Sequence, residues 1–177
     1  MIIFIIIIII LIYALITYNS LTKKKLKVEQ AKSGIDVYLK QRFDLIPNLV
    51  ECVKGYSKYE KTVIEEVTKL RNLYNKDKDL KIGEELNQKL HGLIAVAENN
   101  PDLKSNEQFL NLQKNLSKME NQLQAARRIY NTDVTSYNIS ISTFPNSIIA
   151  KMFNFLHADL FEAEDEVKLN LNVDLKK

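Results

Sequence analysis

The chain opens on MIIFIIIIIILIYALI, sixteen consecutive apolar residues, and no charged side chain appears before Lys23. At about 1.5 Å of rise per residue, Ile2 to Ser20 extends about 28 Å as a helix, close to the hydrocarbon thickness of a bilayer. No basic residue precedes the run and no small-x-small site follows it, so a retained anchor is expected rather than a cleaved signal peptide. Tyr13 and Tyr18 lie toward the charged end, where amphipathic rings suit the headgroup layer.

Beyond the lysines the apolar positions recur at three and four, which predicts helices. Leu21, Val28, Ala31, Ile35, Tyr38 and Leu39 form a stripe continuous with the anchor. Asp44 as a cap and Pro47 in a first turn mark the expected start of a second helix. Its stripe runs Ile46, Leu49, Val50, Val53, Tyr56, Val63, Val67, Leu70 and Tyr74, and the charged stretch NKDKDLK, residues 75–81, reads as a linker before Gly83. A third stripe, Ile82, Leu86, Leu90, Leu93 and Ala97, closes at Asn99, Asn100 and Pro101. Ser105 with Gln108 has the form of a capping box for a fourth helix. There Phe109, Leu116, Leu123, Tyr130, Tyr137 and Phe144 fall every seven residues, while the companion register drifts from Asp133 and Ser140 to Val134 and Ile141.

Four amphipathic stretches with short connections bury their stripes together most simply as an antiparallel bundle. A long parallel coiled coil is the alternative, but Pro47 and Pro101 cut the pattern where it must continue. The predicted fold is all-α: a transmembrane helix over 1–20 continues into an up-and-down four-helix bundle over 21–144, with helices at about 21–43, 45–75, 80–98 and 103–143. A short helical piece, 145–162, and a mobile tail, 163–177, follow. The apolar piece SIIAKMFNFL is expected to fold back on the bundle end or to lie in the headgroup layer.

Composition narrows this further. Four glycines and three prolines are roughly a third of the usual share, too few for the turns of an all-β fold. A single cysteine, Cys52, excludes an intramolecular disulfide framework and a cysteine-cluster metal site. The cluster Lys23, Lys24, Lys25 and Lys27 adjoins the anchor, predicts a cytoplasmic bundle with the N-terminus outside, and offers a contact for anionic headgroups. A net charge of +3 with no basic stripe elsewhere gives no reason to invoke nucleic acid. The lipid bilayer is thus the first partner expected.

Candidate chemistry is sparse. Glu60 shares the register of Ile46, Val53, Val67 and Tyr74, which puts a carboxylate on a buried seam, and Asp133 is a similar case on the fourth helix. Two carboxylates in a bundle resemble a di-iron site, but neither His91 nor His157 follows a glutamate at the required spacing. Asp36, Lys40 and Asp44 read as a solvated ladder. Arg127 and Arg128 are a possible phosphate grip, and more simply one solvent arginine and one ion pair. No phosphate loop or nucleophile motif appears, so no cofactor and no catalytic residue are expected. The competing reading is a membrane-tethered hydrolase or lipid-modifying enzyme that uses Glu60 or Asp133.

Longer strings carry more than the periods do. IDVYLKQRFDLIPNLVECVKGY (35–56), LIAVAENNPDLKSNEQFLNLQ (93–113), AARRIYNTDVTSYN (125–138) and the Phe144-Pro145 step resemble the LemA family of membrane-anchored bundle proteins. Tyr59, Asn100 and Asn154 depart from that family's usual histidine, tyrosine and glycine. The resemblance implies an N-terminal anchor with its N-terminus outside, a four-helix bundle inside, and a role in cell-envelope or membrane organisation, without supplying a reaction. Two of its strings fall at predicted helix ends, where packing alone does not ask for those residues. One bundle end, with Asp44, Pro47, Asn48, Pro101 and Asp102, is therefore the candidate surface for an unidentified membrane or cytoplasmic protein. The plainer reading is that these residues build turns and caps.

Overall fold

The computed structural model describes residues 1–54 and 61–161 and is helical, with no strand among the described residues. Its helices are α1 (Ile2–Phe43), α2 (Ile46–Lys54), α3 (Lys61–Asp77), α4 (Leu80–Glu98), α5 (Pro101–Lys104), α6 (Glu107–Ser142) and α7 (Asn146–Met152). Two compact units emerge: Met1–Ala31 with Arg127–Lys177, here the anchor unit, and Lys32–Ala126, here the bundle unit.

In the bundle unit, α1 with α2, then α3, α4 and α6 pack as an up-and-down four-helix bundle. Arg71 of α3 lies against Phe43 and Tyr74 against Asp36, so α3 runs back along α1. Lys89 pairs with Glu66 and Gly83 abuts Tyr74, so α4 reverses again. Gln113 beside Glu98 and Arg42 beside Glu120 set α6 antiparallel to both α4 and α1. The core follows the seven-residue count: Ile35, Leu49, Val53, Val67, Tyr74, Leu86, Leu90, Leu93, Phe109, Leu116 and Leu123 are all buried.

The break expected near residues 42–44, with Pro47 in the first turn of a new helix, is present: α1 ends at Phe43 and α2 starts at Ile46. Only residues 44 and 45 interrupt the helix, held by Asp44 N–H to the Lys40 carbonyl and Leu45 N–H to the Arg42 carbonyl, and α2 carries on. The element antiparallel to α1 is α3, which starts at Lys61. The linker expected at 75–81 also shrinks, because α3 reaches Asp77 and α4 starts at Leu80. Asp79 caps α4, accepting from the Lys81 N–H at 2.8 Å with its side chain. The cap of α6 is Asn106 rather than Ser105, since its Oδ1 takes the Gln108 and Phe109 N–H groups at 2.9 and 3.2 Å.

In the anchor unit the first part of α1 presents Ile2–Leu11 as exposed apolar side chains, and α1 is the one described helix long and apolar enough to cross a membrane. The later part of α6 buries Tyr130, Val134, Tyr137 and Ile141 and leaves Asp133 half-buried, while Phe144, past the end of α6, is exposed and departs from the register. The piece after Pro145 is helical only to Met152 and not to 162. There Asn154 takes the left-handed conformation (φ 55°), with Phe155 N–H on the Ala150 carbonyl closing the helix. Asparagine is the usual second choice to glycine in that position. Glu60 and the tail from 162 lie outside the described residues.

Candidate functional site

The α1–α2 joint is built around Pro47. A helix needs an N–H at position 47 to satisfy the Phe43 carbonyl, and proline has none. Arg71 supplies the missing donor, its Nε meeting the Phe43 carbonyl at 3.0 Å while Nη2 approaches Asp44 Oδ1 at 3.7 Å. Asp44 thus serves as one side of an arginine clamp. Pro47 and Asn48 remain exposed beside it.

Along this joint runs an open groove of about 570 Å³, lined by Leu45, Asn48, Glu51 and Cys52 on one side and by the start of α6 on the other, from Asn106 and Gln108 through Asn111 to Asn115. Five of its lining residues carry carboxamides, which both donate and accept hydrogen bonds and do not titrate. Of the residues proposed from sequence, Asn48 lines this groove. Pro101 is exposed in the first turn of α5, in the α4–α6 connection, and Asp102 follows it there.

Beneath the joint lies a buried polar cluster that the sequence motifs do not single out. Arg42 is 1% exposed and Asn87 0%. The Arg42 guanidinium meets Asn87 Oδ1 and Glu120 Oε2, and His91 Nε2 lies 3.2 Å from Nη2 and 3.5 Å from Glu120. One residue from each of α1 and α6 and two from α4 are thereby tied together. Nearby, Tyr74 donates to Asp36 at 3.4 Å. Burial raises the Asp36 carboxyl above its ordinary value, against the pull of Lys32, and burial also raises the Tyr74 hydroxyl. Asp36 is therefore not the fully solvated rung that its four-residue spacing from Lys40 suggested.

The anchor unit holds a second polar construction. After α7 the chain runs non-helical along α6, and two asparagines seven residues apart each clasp one of its residues by both backbone groups. Asn138 binds the N–H and carbonyl of Ala158 at 3.0 and 2.8 Å, and Asn131 those of Phe161 at 2.7 and 3.0 Å. Tyr137 and Tyr130 donate to the carbonyls of Leu156 and Asp159, both at 2.9 Å. Seven helical residues rise about 10.5 Å and three extended residues about 10 Å, so the two repeats stay in step. Burial raises both tyrosine hydroxyls, that of Tyr130 with help from Asp159. Arg127 stacks on the Phe161 ring at 4.9 Å, while Arg128 is exposed. Of the four lysines, Lys24 turns to the Ser136 and Ser140 hydroxyls, and Lys23, Lys25 and Lys27 stay exposed.

These features define a helical-bundle protein with one helix of membrane-spanning length and a polar, amide-lined groove. The sequence profile of the LemA family matches residues 31–175, most of the chain. The chain is also similar to Protein LemA of Metamycoplasma hominis, at 25% identity over 159 residues that cover 87% of this chain and 73% of that protein. The chain belongs to the LemA family.

Proposed function

We propose that this protein is a single-pass, membrane-anchored interaction or scaffolding module in the organisation of the membrane or cell envelope, with its N-terminus outside, its bundle in the cytoplasm and no catalysis of its own. The observation that carries this reading is the groove between the α1–α2 joint and the start of α6. Its amides match the alternating donors and acceptors of a protein surface. They are held on rigid helices by the Arg71 clamp and the Asn106 cap, so the groove is pre-formed.

A photo-crosslinking side chain at Asn111, on the groove, and another at Thr68, exposed on α3, test this in native membranes. The expected result is an adduct of defined mass from Asn111 alone, lost when Asn48 and Asn115 are replaced by alanine. Equal labelling from both positions, or none, refutes the groove. Topology is tested separately with Lys118→Cys in a Cys52→Ser background. An impermeant thiol reagent should label it only after permeabilisation, and labelling of intact cells overturns the cytoplasmic assignment.

A further inference from the structure

Two contacts fix the position of α7 along the anchor helix. Tyr13 donates its hydroxyl to Asn146 Oδ1 at 2.8 Å, and the Tyr18 ring packs on Phe153 and Phe155 with centroids 4.8 and 5.7 Å away. Both ends of α7 are therefore held beside the stretch Tyr13–Tyr18, about 7.5 Å of helix axis. The inner side of α7 is accounted for by the buried Ile149 and Ala150. Its outer side is not: Ile148 and Met152, one turn apart, are 57 and 67% exposed, and Phe144 just before the helix and Phe153 just after it are 77 and 50% exposed. Lys151 is exposed beside them. Four large apolar side chains on and beside one short helix, open to solvent, need an occupant.

We infer that α7 and the turn after it form a second membrane contact, an apolar collar that enters the bilayer beside the anchor. The inference rests on the reading of α1 as a membrane span. The apolar surface of α1 runs directly into this patch, because Leu11, Ile12, Leu15 and Ile16 are exposed at the level where Tyr13 and Tyr18 hold α7. Ile2 to Tyr18 covers about 24 Å of a hydrocarbon layer of about 30 Å. The level of Tyr13 and Tyr18 thus falls toward the lysine-side edge of that layer, and there the collar widens the apolar band. Aromatic rings and a lysine are the residues that the layer next to the headgroups accommodates. Asn131 and Asn138, clasping the backbone past residue 156, keep the collar from peeling away from α6.

The chain has no tryptophan, so single tryptophans report depth without background. Ile148→Trp and Met152→Trp, both at exposed positions, are placed in the full chain in vesicles of phosphatidylcholine and phosphatidylglycerol, with and without acyl-chain bromination. Leu15→Trp serves as the anchor control and Leu110→Trp, exposed on α6 of the bundle unit, as the aqueous control. The expected result is quenching of both collar variants by brominated lipid to an extent close to Leu15→Trp, with Leu110→Trp quenched only by aqueous acrylamide. If Leu15→Trp is quenched by lipid and the collar variants only by acrylamide, the collar is overturned and the anchor stands. If the collar variants are shielded from both quenchers, a protein or a second copy covers the patch, and membrane contact is again overturned. If Leu15→Trp itself escapes the brominated lipid, the anchor reading fails and the collar with it.

Discussion

Glu120→Leu is the sharpest test of how the bundle is held together. The Arg42 side chain is 2% exposed and that of Glu120 15%, so this pair is largely outside water and salt screens it little. Removing Glu120 takes a carboxylate from a buried guanidinium that keeps its remaining contacts, which should cost about 1–3 kcal/mol, whereas a surface pair costs at most about 1 kcal/mol. His91 cannot replace the carboxylate, because as a cation it repels the guanidinium and as a neutral ring it adds only a hydrogen bond. Arg42→Leu leaves the Glu120 carboxylate with His91 3.5 Å away and strands the Asn87 carbonyl, so it should cost at least as much. Replacing all three, Arg42, Asn87 and Glu120, by leucine should return stability to within about 2 kcal/mol of the parent, since apolar packing offsets lost buried polar contacts. Urea titration of each variant of the full chain in micelles, followed by far-ultraviolet circular dichroism, gives the differences. A loss below about 1 kcal/mol for Glu120→Leu would mean that Arg42 reaches water, and the buried-pair account fails.

Arg71→Ala should cost about 1–3 kcal/mol because the Phe43 carbonyl loses its donor, and Arg71→Ala combined with Pro47→Ala should recover part of it, as the restored N–H closes the helix; equal loss in both, by the same titration, refutes the clamp. Gly83→Ala places a methyl 2.9 Å from the Tyr74 ring and 3.3 Å from Leu39, and since both are buried, a loss of about 1–3 kcal/mol is expected; a neutral result shows that α4 shifts freely. Asp36→Asn keeps an acceptor for Tyr74 and removes a carboxylate whose folded value is raised by burial above 3.8. The parent's stabilisation by the neutral acid is complete below 3.8 and is lost as pH rises through the higher folded value, so the variant should melt higher at neutral pH and equal to the parent in acid; a lower melting point at neutral pH refutes the burial argument. Asn131→Ala with Asn138→Ala should speed amide exchange at Ala158 and Phe161 while leaving the buried amides of the bundle unit unchanged; unaltered exchange at those two residues removes the asparagine clasp.

What was legible in the sequence was periodicity, and it was legible further than motif-reading alone suggests. Leu21, Val28, Ile35, Arg42 and Leu49 keep one seven-residue register, and all five are buried. The same count that places Glu60 on a seam of the second stripe places Arg42 on the first. A charged residue in an apolar register says that a polar partner must exist, but the partners Asn87, His91 and Glu120 are distant in sequence and only the packing unites them. The α1–α2 joint was legible as a break, but what holds it was not, for a related reason. Pro47 announces that one helical hydrogen bond is missing, yet whether the chain turns there depends on whether the orphaned Phe43 carbonyl finds another donor, and Arg71 lies 28 residues away. The clasp on the C-terminal segment was in view as Tyr130-Asn131 and Tyr137-Asn138. The tyrosines read as core and the asparagines gave no signal, because an extended segment held through its backbone leaves no apolar period of its own. Side chains that pack announce themselves by spacing, while side chains that replace a missing backbone partner do so only when the backbone they serve is in place. The groove is lined by amides of the second kind of surface, at a joint that exists because Arg71 completes it, which is why Asn48 was reachable from sequence and the α6 side of the groove was not.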